Sequence, residues 1–377
     1  MAVAPFLLKY TGICRTTRNE ITMKPVLRVV LTAAIAALTL THAACAQDAT
    51  QQATPPPPPA AKSAPPVLSN IAPQISNLNP FPQADPHNFT ATFPTRETVE
   101  AFLKQLWGYD ENRIFQVAAI EKTQAPSLSR VVVFVAERGQ PADQTKTTSF
   151  LVLNDGKHAV AGDTVIDFGA TPFAEKRAML QARADGPSRG SANKALELVE
   201  FADLQCPHCK EAQATMDQLA QDFPSAHIVF QNFPLVQIHP SAFVAAAYGL
   251  CVAQMKPDNS NEAFFAYIHA VFDTQDALTP DNAKQTLANA VVKAGLDADK
   301  VAACADTQAI KDNLKASTQL AKDAQVDSTP LLLVNGRAMP LTGISYDTLK
   351  SVILYQAQLD GITVPVPAPA PEPPAAK

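Results

Sequence analysis

The sequence predicts an α/β protein in which a buried strand feeds a helix. A small α+β domain and a proline-rich tether precede that unit. Three observations carry this expectation. The apolar run Ala195 to Phe201 is followed by Cys206-Pro207-His208-Cys209 and then by a helical pattern. Strand-like runs recur upstream, closed by the tight turn Asn154-Asp155-Gly156. The 32 Pro, against only 13 Gly in 377 residues, are concentrated in two stretches. With 47% hydrophobic and 17% charged residues, the chain is neither a highly charged disordered polymer nor a many-span membrane protein. A formal net charge of -5 and 7% aromatics argue against a binder of nucleic acid, which needs phosphate neutralisation and stacking surfaces.

Residues 1–46 read as a signal-peptide region. Met23, Lys24 and Arg28 make a short basic start, Val29 to Leu40 an apolar run, and Ala44-Cys45-Ala46 a small-x-small cleavage site. Glu20 and the polar residues before it suit such a region poorly, which points to Met23 as the true start. The apolar run is short of the roughly 20 residues that a membrane span needs. Acylation of Cys45 or an uncleaved anchor are the alternatives. Cleavage after Ala46 would remove Lys9, Arg15, Arg18, Lys24 and Arg28 but only Glu20, moving the net charge from -5 to -9. It would leave four cysteines, Cys206, Cys209, Cys251 and Cys304, an even set suited to an exported, oxidising compartment such as the periplasm.

Residues 47–88 form the tether. Pro55 to Pro59 is an unbroken proline run that prefers polyproline II and acts as a semi-rigid spacer. Residues 362–377 repeat that composition as a disordered tail. Between them, residues 89–184 form the small α+β domain. Thr95 with Glu97 signals a helix start, and Val99, Phe102, Leu103 and Leu106 recur at helical spacing. Arg130 to Val135, Ser149 to Leu153 and Val160 to Phe168 read as three strands. Glycines and Pro187 between Asp185 and Ala192 mark a junction. The second domain is expected over residues 194–361.

Its chemistry lies in the cysteine pair. Ala195 to Phe201 is the strand, Asp203 to Gln205 the connection, and Glu211 to Phe223 the helix. Cys206 then stands at the exposed helix start, where the partial positive charge of the helix end favours a thiolate. Cys209 follows one turn later on the same side. His208 beside the thiolate lowers the Cys206 pKa further, and Pro207 restricts the turn. A stabilised thiolate favours the reduced form, so the disulfide is oxidising. A structural zinc site using Cys206, Cys209 and His239 would need another ligand, and no second CxxC is present. A purely structural disulfide across so short a loop would stabilise little. No cofactor or metal is expected.

Glu200-Phe201 with Cys206-Pro207-His208-Cys209 resembles the active site of the DsbA-like branch of the thioredoxin superfamily. The resemblance extends through Phe233-Pro234-Leu235, Ile238-His239-Pro240 and Ser328-Thr329-Pro330 to Asn335-Gly336-Arg337. It implies a thioredoxin fold with a helical insertion, at about residues 241–326, and thiol–disulfide exchange on exported proteins. It also implies a cis-Pro330 beside the cysteines, with Thr329 offering its backbone to an extended substrate. Glu200 would sit under Cys209 as a proton carrier, the alternative being an exposed strand carboxylate. Where several relatives carry a second acid on the active-site helix, this chain has Gln213, with Glu211 two positions away. His239 reads as a packed or capping residue. The partners implied are unfolded or partly oxidised exported proteins and a membrane redox partner that recycles the CxxC.

Cys251 and Cys304 fall within the insertion, 53 positions apart, with no CxxC partner. A structural disulfide is expected, contributing about 4 kcal/mol by loop closure; a second redox pair or two free thiols are the alternatives. In the first domain, Ser149 to His158 followed by Val160, Gly162 and Asp163 is similar to the N-terminal dimerisation domain of DsbC- and DsbG-like isomerases. That similarity implies a homodimer through this domain and a reshuffling role. Dithiol oxidase is the leading expectation, dimeric isomerase or reductase the second, and a non-catalytic chaperone or metal-binding module the third.

Overall fold

The computed structural model describes residues 80–257 and 261–365. The expected signal segment, the proline run and most of the tail lie outside the described residues. Two five-stranded sheets organise the rest.

The first sheet is an antiparallel meander of β1 (Arg113–Lys122), β2 (Leu128–Glu137), β3 (Lys146–Leu153), β4 (His158–Ala161) and β5 (Thr164–Asp167), in that order. Helix α1 (Arg96–Trp107) opens with the Thr95 hydroxyl accepting from the Thr98 N–H, which satisfies one orphan donor of the first turn. Its Val99, Phe102 and Leu103 pack on Val117, Ile120, Val131, Val133 and Val152. The single strand expected over Val160 to Phe168 is instead the β4–β5 hairpin. Gly162, at φ +64°, supplies the left-handed turn residue between the two strands. Strand β1 shows no clean alternation in sequence, because a bulge between Val117 and Ala119 breaks it.

The second sheet runs β10-β9-β7-β8-β6, from β10 (Arg337–Pro340), β9 (Leu331–Val334), β7 (Glu197–Ala202), β8 (His227–Asn232) and β6 (Ser188–Gly190). β7 pairs in parallel with β8 and antiparallel with β9. Its burial on both faces follows from helices on either side. Helices α3 (Pro207–Asp222) and α9 (Tyr346–Leu359) cover one face through Met216, Leu219, Val352 and Ile353. Helices α2 (Ala174–Arg183) and α8 (Gln308–Asp323) cover the other through Leu180, Leu320 and Ala321. Thus α2 and β6, expected to end the first domain and form the junction, pack into the second sheet. The insertion comprises α4 (Ala242–Met255), α5 (Glu262–Asp273), α6 (Ala283–Lys293), α7 (Ala298–Ala305) and α8. Within it, Cys251 is disulfide-bonded to Cys304.

The two sheets are joined at the turn between β9 and β10. Buried Arg337 donates from Nη1 to the Gln105 carbonyl at 2.8 Å and from Nη2 to the Leu106 carbonyl, at the C-terminal end of α1. That end carries partial negative charge, so a cation suits it. The guanidinium also lies over the rings of Tyr109 and Phe173. Gly336, at φ +88°, leaves no room for a Cβ, which would stand 2.5 Å from the Phe173 carbonyl oxygen.

Candidate active site

Cys206 is the N-cap of α3, and Pro207 occupies the first helical position, where its missing N–H costs nothing. The helix therefore begins four residues earlier than the apolar pattern of Glu211 to Phe223 implied. Both cysteines are free thiols and both are buried, Cys206 with 5% and Cys209 with 0% of its surface exposed. Cys206 was expected at an exposed start. It is covered by a segment 123 residues away, and its Sγ lies 3.6 Å from the Thr329 carbonyl oxygen. Thr329-Pro330 is a cis peptide bond.

The two thiols sit in opposite electrostatic settings. The Cys209 thiol donates to the Cys206 sulfur and pulls its pKa down to about 5; burial opposes this. The Thr329 hydroxyl and the backbone N–H groups of Cys209 and His208 add to the lowering. Burial is the first cause that pushes Cys209 far above the ordinary thiol range, and hydrogen bonding to Cys206 adds to it. Only the Asp203 N–H, 3.4 Å from its sulfur, and the Thr329 hydroxyl work the other way.

The His208 imidazole is exposed and its Nδ1 lies 3.0 Å from Glu211 Oε2. That carboxylate, first, and the Cys206 charge, last, raise the His208 pKa. His208 also reaches the Cys206 thiolate through its backbone N–H.

Glu200 is 2% exposed, which removes the alternative of an exposed strand carboxylate. Burial raises its pKa to about 7, against the lowering effect of Gln213. Gln213 Nε2 donates to Glu200 Oε1 at 3.0 Å and to the Cys209 carbonyl at 3.2 Å, so it bridges the acid to the cysteine turn.

Two residues of the site, Asp203 and Gln275, carry no functional signal in the sequence. Buried Asp203 accepts from the Gln205 and Leu235 N–H groups at 2.7 and 2.8 Å. His239 Nδ1 lies 2.8 Å from the same carboxylate, so His239 serves the loop after β8 rather than the sulfurs. Gln275 Nε2 donates to the Leu204 and Cys206 carbonyls, both at 3.0 Å, and ties the insertion to the cysteine loop. Apart from the Gln205 N–H, each of these partners lies more than 30 residues away, beyond the reach of local pattern. Cys251 and Cys304 lie apart from this constellation, bonded to each other within the insertion.

Residues 183–354 match the model of a family described as Thioredoxin. Among solved structures, the chain is similar to the catalytic domain of Proteus mirabilis ScsC, at 20% identity and a TM-score of 0.40, over 48% of this chain and 98% of that one. It is also similar to the thiol-disulfide exchange protein alpha-DsbA2 from Wolbachia pipientis, at 20% identity and a TM-score of 0.41, over 48% and 96%. Curated relatives include the Na(+)/H(+) antiporter NhaA 3 of Salinispora tropica, 27% identical over 149 residues, which are 40% of this chain and 21% of that protein. The antiporter NhaA 1 of Mycolicibacterium vanbaalenii is 31% identical over 152 residues, 39% and 23% of the two chains. The chain therefore spans less than a quarter of the length of these two relatives, and none of its described helices is long and apolar enough to cross a membrane. The match to the thioredoxin family covers somewhat less than half of the chain, and it contains both Cys206 and Cys209.

Proposed function

We propose that this chain is an exported dithiol oxidase that exchanges disulfides with protein clients through Cys206 and Cys209. The observation that carries the reading is the split between the two thiols, one drawn down to about 5 and the other pushed far up. A client thiolate attacks Cys206 Sγ of the disulfide, and Cys209 leaves. A second client thiolate attacks the mixed disulfide and releases Cys206 as a thiolate. The client loses two electrons and the CxxC gains them. Stabilising the released thiolate drives that last step. Glu200 holds or returns the Cys209 proton, and the Thr329 backbone lines up an extended client beside the sulfurs. A membrane redox partner reoxidises the pair.

Titration of the reduced protein by thiolate absorbance should place Cys206 near 5. Equilibration with glutathione should give a potential toward about -120 mV. Cys206→Ser should abolish both dithiol oxidation and insulin reduction. Retained exchange in that variant, or an ordinary thiol titration, overturns the reading. A potential near about -270 mV overturns the oxidase direction.

A second reading, a dimeric isomerase, draws on the first sheet. β3 pairs with β2 along its whole length but with β4 only at Leu151 and Val152, so Lys146 to Phe150 presents an edge to which another strand could add. Light scattering on the same preparation separates the two, a dimer favouring the isomerase and a monomer the oxidase.

A further inference from the structure

Cys209, Gln213 and Asp217 stand at four-residue intervals on α3, so they share one face of the active-site helix, one turn apart. Cys209 and Gln213 are buried, while Asp217 reaches the edge of the protein with about a third of its side chain exposed. An arginine and a histidine meet it there. Arg189 of β6 donates from Nη1 to Asp217 Oδ1 at 2.7 Å, and His269 of α5 places Nε2 3.5 Å from Asp217 Oδ2. Arg189 is itself held down, with its guanidinium 4.4 Å over the Phe265 ring and a buried Nε that has no hydrogen-bond partner. This cluster joins three elements of the domain at one end of the polar stripe. Glu200 lies in the middle of the stripe, on Gln213.

We propose that the Arg189–Asp217 ion pair, with His269 at its solvent side, controls the charge of Glu200 and so sets the pH at which Cys209 can resolve a mixed disulfide. The proposal rests on the reading of Glu200 as the carrier of the Cys209 proton. Arg189 and Asp217 are positioning residues, since neither touches the sulfurs. In the step concerned, the Cys209 proton passes to the Glu200 carboxylate. Cys209 Sγ bonds to Cys206 Sγ, the bond from Cys206 to the client sulfur breaks, and the client leaves as a thiolate with the electron pair.

The charges around Glu200 support opposite effects from the two partners. Gln213 faces it from α3, Arg189 from β6 favours its ionised form, and Asp217 opposes it. Asp217 in turn is faced by Arg189 and His269, and His269 is also influenced by Asp273 on its own helix. Removing Asp217 leaves a bare cation near Glu200, and removing Arg189 leaves a bare anion.

The test uses the full chain with Cys206 in a mixed disulfide with 5-thio-2-nitrobenzoate, whose release by Cys209 is followed by absorbance against pH. In the unaltered protein the rate should rise through an inflection near 7, as Glu200 ionises. Asp217→Asn should move that inflection to lower pH and Arg189→Met to higher pH, each by about half a unit or more. His269→Gln should follow Arg189→Met by less, and Arg189→Lys should restore the original profile. Glu200→Gln separates the two layers. If it leaves the inflection in place, the reading of Glu200 falls. If it removes the inflection while Asp217→Asn and Arg189→Met leave it unmoved, or move it in the same direction, the ion-pair proposal alone falls. Asp217→Asn is nearly isosteric, so it decides the matter should Arg189→Met not fold.

Discussion

Two cysteine pairs share one apolar core, and the polar groups around them differ. Cys251 and Cys304 close a separation of 53 residues within the insertion, where Phe264, Ile268, Leu287 and Val301 belong to the same apolar core. Cys206 and Cys209 are three positions apart at a helix N-terminus, with a buried carboxyl, Glu200, linked to the Cys209 backbone through Gln213. Around the second pair, the Gln213 Oε1 atom is buried without a hydrogen-bond partner. Such an atom costs stability. The first pair holds the fold together, whereas the second is held by the fold in an arrangement that the fold alone would not favour. The comparison teaches that proximity of sulfurs decides little; the charges and polar atoms around them decide whether a pair is a staple or a reagent.

The sharpest way to break that contrast is to remove the staple. Replacing Cys251 and Cys304 together by Ser should lower stability by about 4 kcal/mol, from the loop-closure entropy returned to the unfolded chain. Denaturant unfolding measures this. The thiolate titration of Cys206 should stay where it is. A shift of that titration by a unit or more would mean that the insertion pair communicates with the redox pair, and the distinction would fail.

The second test concerns the cost of the reagent. Glu200 is pushed up from 4.5 to about 7 by burial. Below pH 4.5 the carboxyl is protonated both folded and unfolded and makes no difference. Between 4.5 and 7 the unfolded chain ionises while the folded one keeps its proton, so stability falls with rising pH. The loss is complete above about 7, at about 3 kcal/mol. Glu200→Gln removes this titration. Its unfolding free energy should match the unaltered protein near pH 4.5 and exceed it by about 3 kcal/mol at pH 8. An equal difference at both pH values would show that Glu200 acts through packing rather than charge.

Local chemistry made part of this legible. The strand before Cys206 and the Thr95 cap both follow from patterns a few residues long. Helix α2 was missed because its N-cap, Phe173, offers no capping side chain. It is held instead by Leu180 against the second sheet. The burial of Cys206 was missed for a different reason. A cysteine at a helix start reads as exposed until Thr329 and Gln275 are brought over it, and no periodicity announces a partner 69 or 123 residues away. The carboxylate of Asp203 looked like part of a short polar connection, yet its three partners make it a buried fastening between β7 and the loop after β8.

The smallest expected effect is the most discriminating for the sequence-level view of the site. Spacing alone puts His208 next to Cys206 and suggests that its imidazolium holds the thiolate. The side chain turns to Glu211 instead, out in solvent, where the interaction of charges is weakened by water. The thiolate rests first on the Cys209 thiol, then on the Thr329 hydroxyl and on two backbone N–H groups, one of which His208 keeps whatever its side chain. His208→Ala should therefore raise the Cys206 titration from about 5 by one pH unit or less, as read by thiolate absorbance at low and at physiological salt. The shift should shrink as salt is added, because only the screened charge is lost. A rise back toward 9 would mean that the imidazole, rather than the buried donors, sustains the thiolate, and the contrast between a solvent-facing helper and a buried core of donors would have to be reversed.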